Sequence, residues 1–114
     1  MQIKILINER QFDIDVTPEH IAMGRPMFAK MDKDMDRGWR MGPQFIEHPD
    51  RVTRAQIVAD RLLTALETGD DNMTKAMSAY IADRLPEVRT IHIDTGGEPL
   101  NTSLQDERGG EIRT

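Results

Sequence analysis

The sequence predicts an α+β domain, on three observations. Apolar and polar residues alternate through the first sixteen positions, apolar residues recur at helical spacing from Thr17 to Leu85, and alternation returns from Val88 to Asp94. The predicted order is β-β-α-α-α-β. An N-terminal β-hairpin plus a C-terminal strand form a three-stranded sheet, with one face covered by about three helices. Residues 1–95 make this single α+β domain, and residues 96–114 are expected as a polar, disordered C-terminal tail whose main apolar residues are Leu100 and Leu104.

The hairpin is read from Ile3, Ile5 and Ile7, interrupted by Leu6, and from Phe12, Ile14 and Val16 alternating with Asp13 and Asp15. Pairing around Glu9-Arg10 sets Ile7 opposite Phe12, Ile5 opposite Ile14 and Ile3 opposite Val16. It also sets Lys4 opposite Asp15, a favourable cross-strand charge pair. Glu9-Arg10 contains no glycine to supply positive φ. A four-residue loop from Asn8 to Gln11, in the same register, is therefore expected.

Thr17-Pro18-Glu19 combines a capping hydroxyl, a first-turn proline and an acid near the positive end of a helix dipole. Gly24 and Pro26 interrupt the helical pattern beyond it. The expectation is a short helical turn to Met23 and a second helix from about Pro26 to Arg37, stopped by Gly38. Residues 39–49, with Gly42, Pro43 and Pro49, read as a loop that tucks Trp39, Phe45 and Ile46 against the core. Asp50 caps the strongest helix, whose apolar stripe runs Val52, Ala55, Val58, Ala59, Leu62, Leu63 and Leu66 before Gly69. Asp70-Asp71-Asn72 starts the next helix, with Met73, Met77, Tyr80, Ile81 and Leu85 as its stripe and Pro86 as its end. The two form an antiparallel pair. Ile91 and Ile93 mark the buried side of the last strand.

Composition excludes several classes. The chain has 114 residues and no cysteine, so disulfides, thiolate nucleophiles and thiolate zinc sites are ruled out. Its net charge of −5 argues against general affinity for nucleic-acid phosphates and anionic membranes. No apolar run approaches the ~20 residues of a membrane span. The first sixteen residues lack the basic start and apolar run of a signal peptide. The expected location is cytoplasmic.

Residues that resemble chemical motifs fail on context. Asp32, Asp34 and Asp36 alternate as in a calcium loop, but Gly38 comes one position late and Pro43 stands where the bidentate glutamate belongs. Asp94-Thr95-Gly96 is similar to the catalytic loop of aspartic proteases, yet only a short polar stretch follows it, so a strand exit with a glycine turn is expected. His20, His48 and His92 are scattered without a metal-binding spacing; His92 and Asp94 alone share a strand face. Ser78 and Ser103 lack a nucleophile elbow. Gly96-Gly97 and Gly109-Gly110 lack the residues of a phosphate loop. Arg51, Arg54 and Arg61 lie on one helix of a pair, but Asp70 and Asp71 would lead the second helix into DNA phosphates.

Methionine is the unusual feature. Met23, Met27, Met31 and Met35 recur every four residues, followed by Trp39. Such a stripe packs a core, offers an adaptable surface to a protein partner, or ligates a soft metal such as copper(I). No cysteine or nearby histidine completes a metal set. The sequence therefore points to a non-enzymatic accessory or regulatory protein that binds a protein partner, with Met27, Met31, Met35 and Trp39 as the candidate surface. It assigns no catalytic residue, metal ligand or cofactor. Homodimerisation through a hairpin edge or leftover apolar helix surface is a further partner expectation. A small-ligand or metal-binding domain is the alternative, and a small enzyme the third.

Overall fold

Asn8 sets the geometry of the N-terminal hairpin. It adopts φ 55°, a left-handed conformation that asparagine tolerates better than most residues. In the computed structural model, which describes residues 1–113, this closes a tight Asn8-Glu9 turn between β1 (Gln2–Ile7) and β2 (Arg10–Asp15). The register moves by two residues from the expected one. Ile3 pairs with Ile14, Ile5 with Phe12, Ile7 with Arg10 and Lys4 with Asp13. A shift of two preserves the face of every side chain, so the apolar face survives the change of partners.

One helix, α1 (Pro18–Asp36), replaces the expected two. Thr17 and His20 form a reciprocal cap: Thr17 Oγ1 accepts from His20 N, and His20 Nδ1 accepts from Thr17 N, both at 3.2 Å. Pro26 removes one backbone donor, but Pro26 and Ala22 both face solvent. The carbonyl of Ala22 is thereby left to water instead of to the core, and the helix runs through. Gly24 is not a break either. A β-carbon there would stand 2.5 Å from Cζ of Phe28, so the glycine admits an aromatic ring.

Residues expected as a loop form a small hairpin, β3 (Trp39–Met41) and β4 (Gln44–Ile46), turning at Gly42 with φ 58°. Met41 is buried and Trp39 and Ile46 half-buried, but Phe45 is exposed rather than tucked in, with the Arg40 guanidinium 5.8 Å from its ring centre. α2 (Arg51–Thr68) and α3 (Asp71–Arg84) come next, each capped by an aspartate: Asp50 Oδ1 accepts from Thr53 N at 2.8 Å, and Asp70 Oδ1 from Met73 N at 3.0 Å. Gly69 ends α2 with φ 71°.

β5 (Thr90–Ile93) enters parallel to β1, the pairing that a helical crossover permits. The sheet order is β2-β1-β5-β6, a mixed four-stranded sheet in an α+β fold. The fourth strand corrects the expected disordered tail. β6 (Ser103–Gln105) pairs antiparallel with β5 after a 3-10 turn at Pro99–Asn101. Gln56 of α2 anchors the turn, its Nε2 donating to the carbonyls of Leu100 and Thr102 at 3.0 Å each. Leu104 and Ile112 are buried in the core. Burial of two apolar residues, sheet pairing of the backbone and the Gln56 anchor together order a polar segment.

Ile3, Ile5, Ile7, Ile91, Ile93 and Leu104 make the helix-covered face of the sheet. Phe28 and Tyr80 meet above it edge to face, with centroids 5.5 Å apart and planes at 89°. The opposite face carries Lys4, Asp13, Thr90, His92, Ser103 and Gln105, and is open to solvent.

Candidate functional site

The methionine stripe is divided by its own helix. Met31 and Met35 are in the core, at 7% and 2% exposure, whereas Met27 is 38% and Met23 82% exposed. The turn from buried to exposed comes from periodicity. Spacing of four drifts around a helix of 3.6 residues per turn, so a stripe that is inward at one end leaves the core at the other. Trp39 is half-buried, its indole under the Arg61 guanidinium at 5.4 Å. The cleft bounded by Met31, Met35, Trp39, Ile57, Val58 and Arg61 has a volume of about 10 Å³, no more than one water needs.

The four predicted surface residues therefore separate. Met31 and Met35 are packing residues and Trp39 is mostly covered; Met27 keeps an outward side chain. It has company that the stripe did not include. Ala22, Met23, Pro26 and Met27 are all exposed. Positions i, i+1, i+4 and i+5 share one side of a helix, so these residues make a continuous apolar strip on the first half of α1. The missed signal is this second pairing, which assigning Gly24 and Pro26 to a break had hidden.

Beside this strip lies a charged cluster that joins the three helices. Asp32 of α1 is its centre. The hydroxyl of Tyr80 donates to Asp32 Oδ1, and Arg84 donates to Oδ2 from Nε at 3.0 Å and Nη2 at 2.7 Å. Arg54 of α2 donates to the Asp32 carbonyl at 3.1 Å and to the Pro49 carbonyl at 2.8 Å, and pairs with Asp36. Arg84 also binds Asp83, which Arg25 approaches at 3.6 Å.

Burial alone would raise the Asp32 carboxyl. The hydrogen bonds from Tyr80 and Arg84, with the charges of Arg84 and Arg54, outweigh it and hold the group below its ordinary value. Burial and the Asp32 carboxylate push the Tyr80 phenol well up. Burial lowers the Arg54 and Arg84 guanidiniums, but hydrogen bonds and charge from Asp36 and Asp32 respectively more than offset it and leave both raised. A recess of about 300 Å³ opens between Asp32, Pro49, Arg51, Arg54, Tyr80 and Arg84. Arg51 is taken up by Glu87 at 3.2 Å. Each arginine around the recess thus already has an acid, and the cluster serves to fix α1 against α2 and α3.

The same contacts dispose of other readings. Asp32 and Asp36 are engaged by arginines on a helix, so the alternating acids do not converge on a cation. The basic face imagined on α2 is spent: Arg54 on Asp36, Arg61 on Trp39 and Arg51 on Glu87. Asp94 Oδ2 accepts from the backbone of Gly96 and Glu98 at 3.0 Å each, so its carboxylate closes a turn. His20 is a cap, while His48 is exposed in the bend before α2 and His92 is exposed on β5. Among the described residues, no three side chains of histidine, aspartate or glutamate stand close enough to hold a metal ion, and no helix is long and apolar enough to cross a membrane. No protein-family model, curated protein or solved structure matches the chain.

Proposed function

We propose that the protein is a non-enzymatic binding module that engages a protein partner through the outer face of α1. The observation that supports this reading is the strip of Ala22, Met23, Pro26 and Met27, with Met23 82% exposed. Unbranched methionine side chains can repack against differently shaped surfaces. The strip stands on a helix held rigidly from behind: Phe28, Met31 and Met35 are buried, and Asp32 binds α3 through Tyr80 and Arg84. A rigid base under flexible apolar tips reduces the ordering cost of association.

The experiment is co-purification from the native cells with Met23→Glu/Met27→Glu beside the unaltered chain. The proposal expects a partner that the unaltered chain retains and the double variant loses, with the far-UV circular dichroism unchanged. Equal retention by a folded double variant would remove the proposal's support.

A further inference from the structure

The chain treats the two edges of its sheet differently. The β6 edge is covered by its own C-terminal segment: Ile112 N donates to the Leu104 carbonyl at 2.7 Å, and Gln105 bridges to Glu111. The β2 edge is bare. Val16 N donates to the Met1 carbonyl at 2.8 Å, and the Met1 ammonium donates back to the Val16 carbonyl at 3.1 Å. In an antiparallel ladder such pairs alternate, so Ile14, Phe12 and Arg10 bond to β1. Gln11, Asp13 and Asp15 then turn their N–H and C=O groups outward, and among the described residues nothing hydrogen-bonds to these groups. All three residues are exposed.

We propose that this edge binds, by strand addition, an extended basic segment of another protein. The site is independent of the α1 strip. An unpaired edge offers a full set of backbone donors and acceptors to an incoming strand. Its side chains then decide which strand enters. On the open face stand Gln11, Asp13 and Asp15, with Glu9 in the adjoining turn. On the helix side stand half-buried Ile14 and Phe12, with the Arg10 guanidinium 4.9 Å from the Phe12 ring centre at the turn end of the strand. Opposed side chains lie on the same face, so the complementary strand alternates Lys or Arg, facing Asp13 and Asp15, with apolar residues that extend Phe12 and Ile14.

A second copy does not meet these requirements. Two-fold symmetry pairs identical edges antiparallel. A register centred on Asp13 sets it against itself. Centring on Ile14 sets Asp13 against Asp15, and centring on Phe12 sets Asp15 against Glu9. Like charges directly opposite destabilise a sheet. Lys4 lies opposite Asp13 and the terminal ammonium stands 3.6 Å from Asp15, both on the β1 side, while Gln11 Nε2 donates to the two Asp13 oxygens at 3.2 and 3.4 Å from within β2. All three carboxylate contacts are internal to the hairpin, and both acids stay exposed. The hairpin edge is thus unsuited to the homodimer expected from sequence.

The test uses the full chain and a soluble peptide, Thr-Lys-Val-Arg-Ile-Lys-Thr, as probe. Amide exchange followed by NMR should show saturable binding with slowed exchange at Gln11, Asp13 and Asp15. Asp13→Lys/Asp15→Lys should weaken binding by about ten-fold or more, while Asp60→Lys/Glu67→Lys, an equal charge change on exposed positions of α2, should leave it within about two-fold. If the first variant loses its circular dichroism signal, Asp13→Asn/Asp15→Asn takes its place with the same expected direction. A peptide with proline for the central arginine, lacking that backbone donor, should not bind. The proposal is overturned by no saturation below about 1 mM, by equal binding of the proline peptide, or by protection confined to other elements. Dimerisation of the free protein that protects these same amides would also overturn it, since the occupant would then be a second copy.

Discussion

Phe28 lays its ring over Gly24, one helical turn earlier on α1, so closely that a β-carbon at position 24 would stand 2.5 and 2.8 Å from two ring carbons. Helical side chains lean toward the N-terminus, which places residue i over residue i−4. Alanine favours a helix interior over glycine by about 1 kcal/mol. Gly24→Ala should nevertheless destabilise the protein, by about 1–3 kcal/mol, because Phe28 is fully buried against Tyr80 and has no free direction in which to yield. Urea unfolding of the variant checks this. A gain in stability would mean that the ring does not sit where the structure places it.

Asp32 predicts a pH dependence. Its folded value lies below the ordinary one, so the stability it contributes is present in full above the unfolded-chain value of about 3.9 and is lost as pH falls through the folded value. Asp32→Asn should cost about 1–3 kcal/mol near neutral pH, by removing the acid that partly buried Arg84 and Arg54 share and leaving them only Asp83 and Asp36. The gap between the two proteins should narrow below about pH 4. Denaturant unfolding across this range measures it. A gap independent of pH would show that Asp32 is not ionised in the fold.

Tyr80 is the sole tyrosine, so its titration can be followed by phenolate absorbance without interference from another tyrosine. A raised folded value means stability present below the unfolded value of about 10 and lost as pH rises through the folded one. Phenolate should therefore form only as the chain unfolds. Its appearance in folded protein near pH 10 would contradict the hydrogen bond to Asp32.

Patterns that depend on nearest neighbours were legible in the sequence. The inward isoleucines, both aspartate caps and the Gly69 stop rest on period and local chemistry, and the structure contains them all. Long-range choices were not legible. Nothing near Asn8 says which two residues will turn, since Asn8-Glu9 and Glu9-Arg10 leave the same residues facing inward. Gly24 and Pro26 look like a break until Phe28 and solvent give each a different reason. Tyr80 and Arg84 sit one turn apart on α3, but Asp32 lies far from both in sequence, and no spacing announces its meeting with them. The exposed strip on α1 is hidden in the sequence for a related reason: it combines two rows of the helix, whereas the four methionines mark only one.

One polar side chain adds to the apolar burial that orders the C-terminal segment. Gln56→Ala removes both hydrogen bonds that hold the turn at Leu100 and Thr102. Amide exchange from Asn101 to Gln105 should accelerate by about ten-fold, while β1 and α3 keep their protection. Unchanged exchange would mean that Leu104 and Ile112 suffice to hold the segment.

The division of the methionine row into a buried half and an outward half is tested most directly by peroxide footprinting of the native protein, with oxidation at each methionine read by mass spectrometry. Met23 should oxidise fastest and Met27 next, while Met31 and Met35 stay protected until the chain unfolds. Oxidation of Met31 and Met35 at the rate of Met23, in protein that keeps its circular dichroism, would contradict the fold of α1 and the binding surface proposed on it.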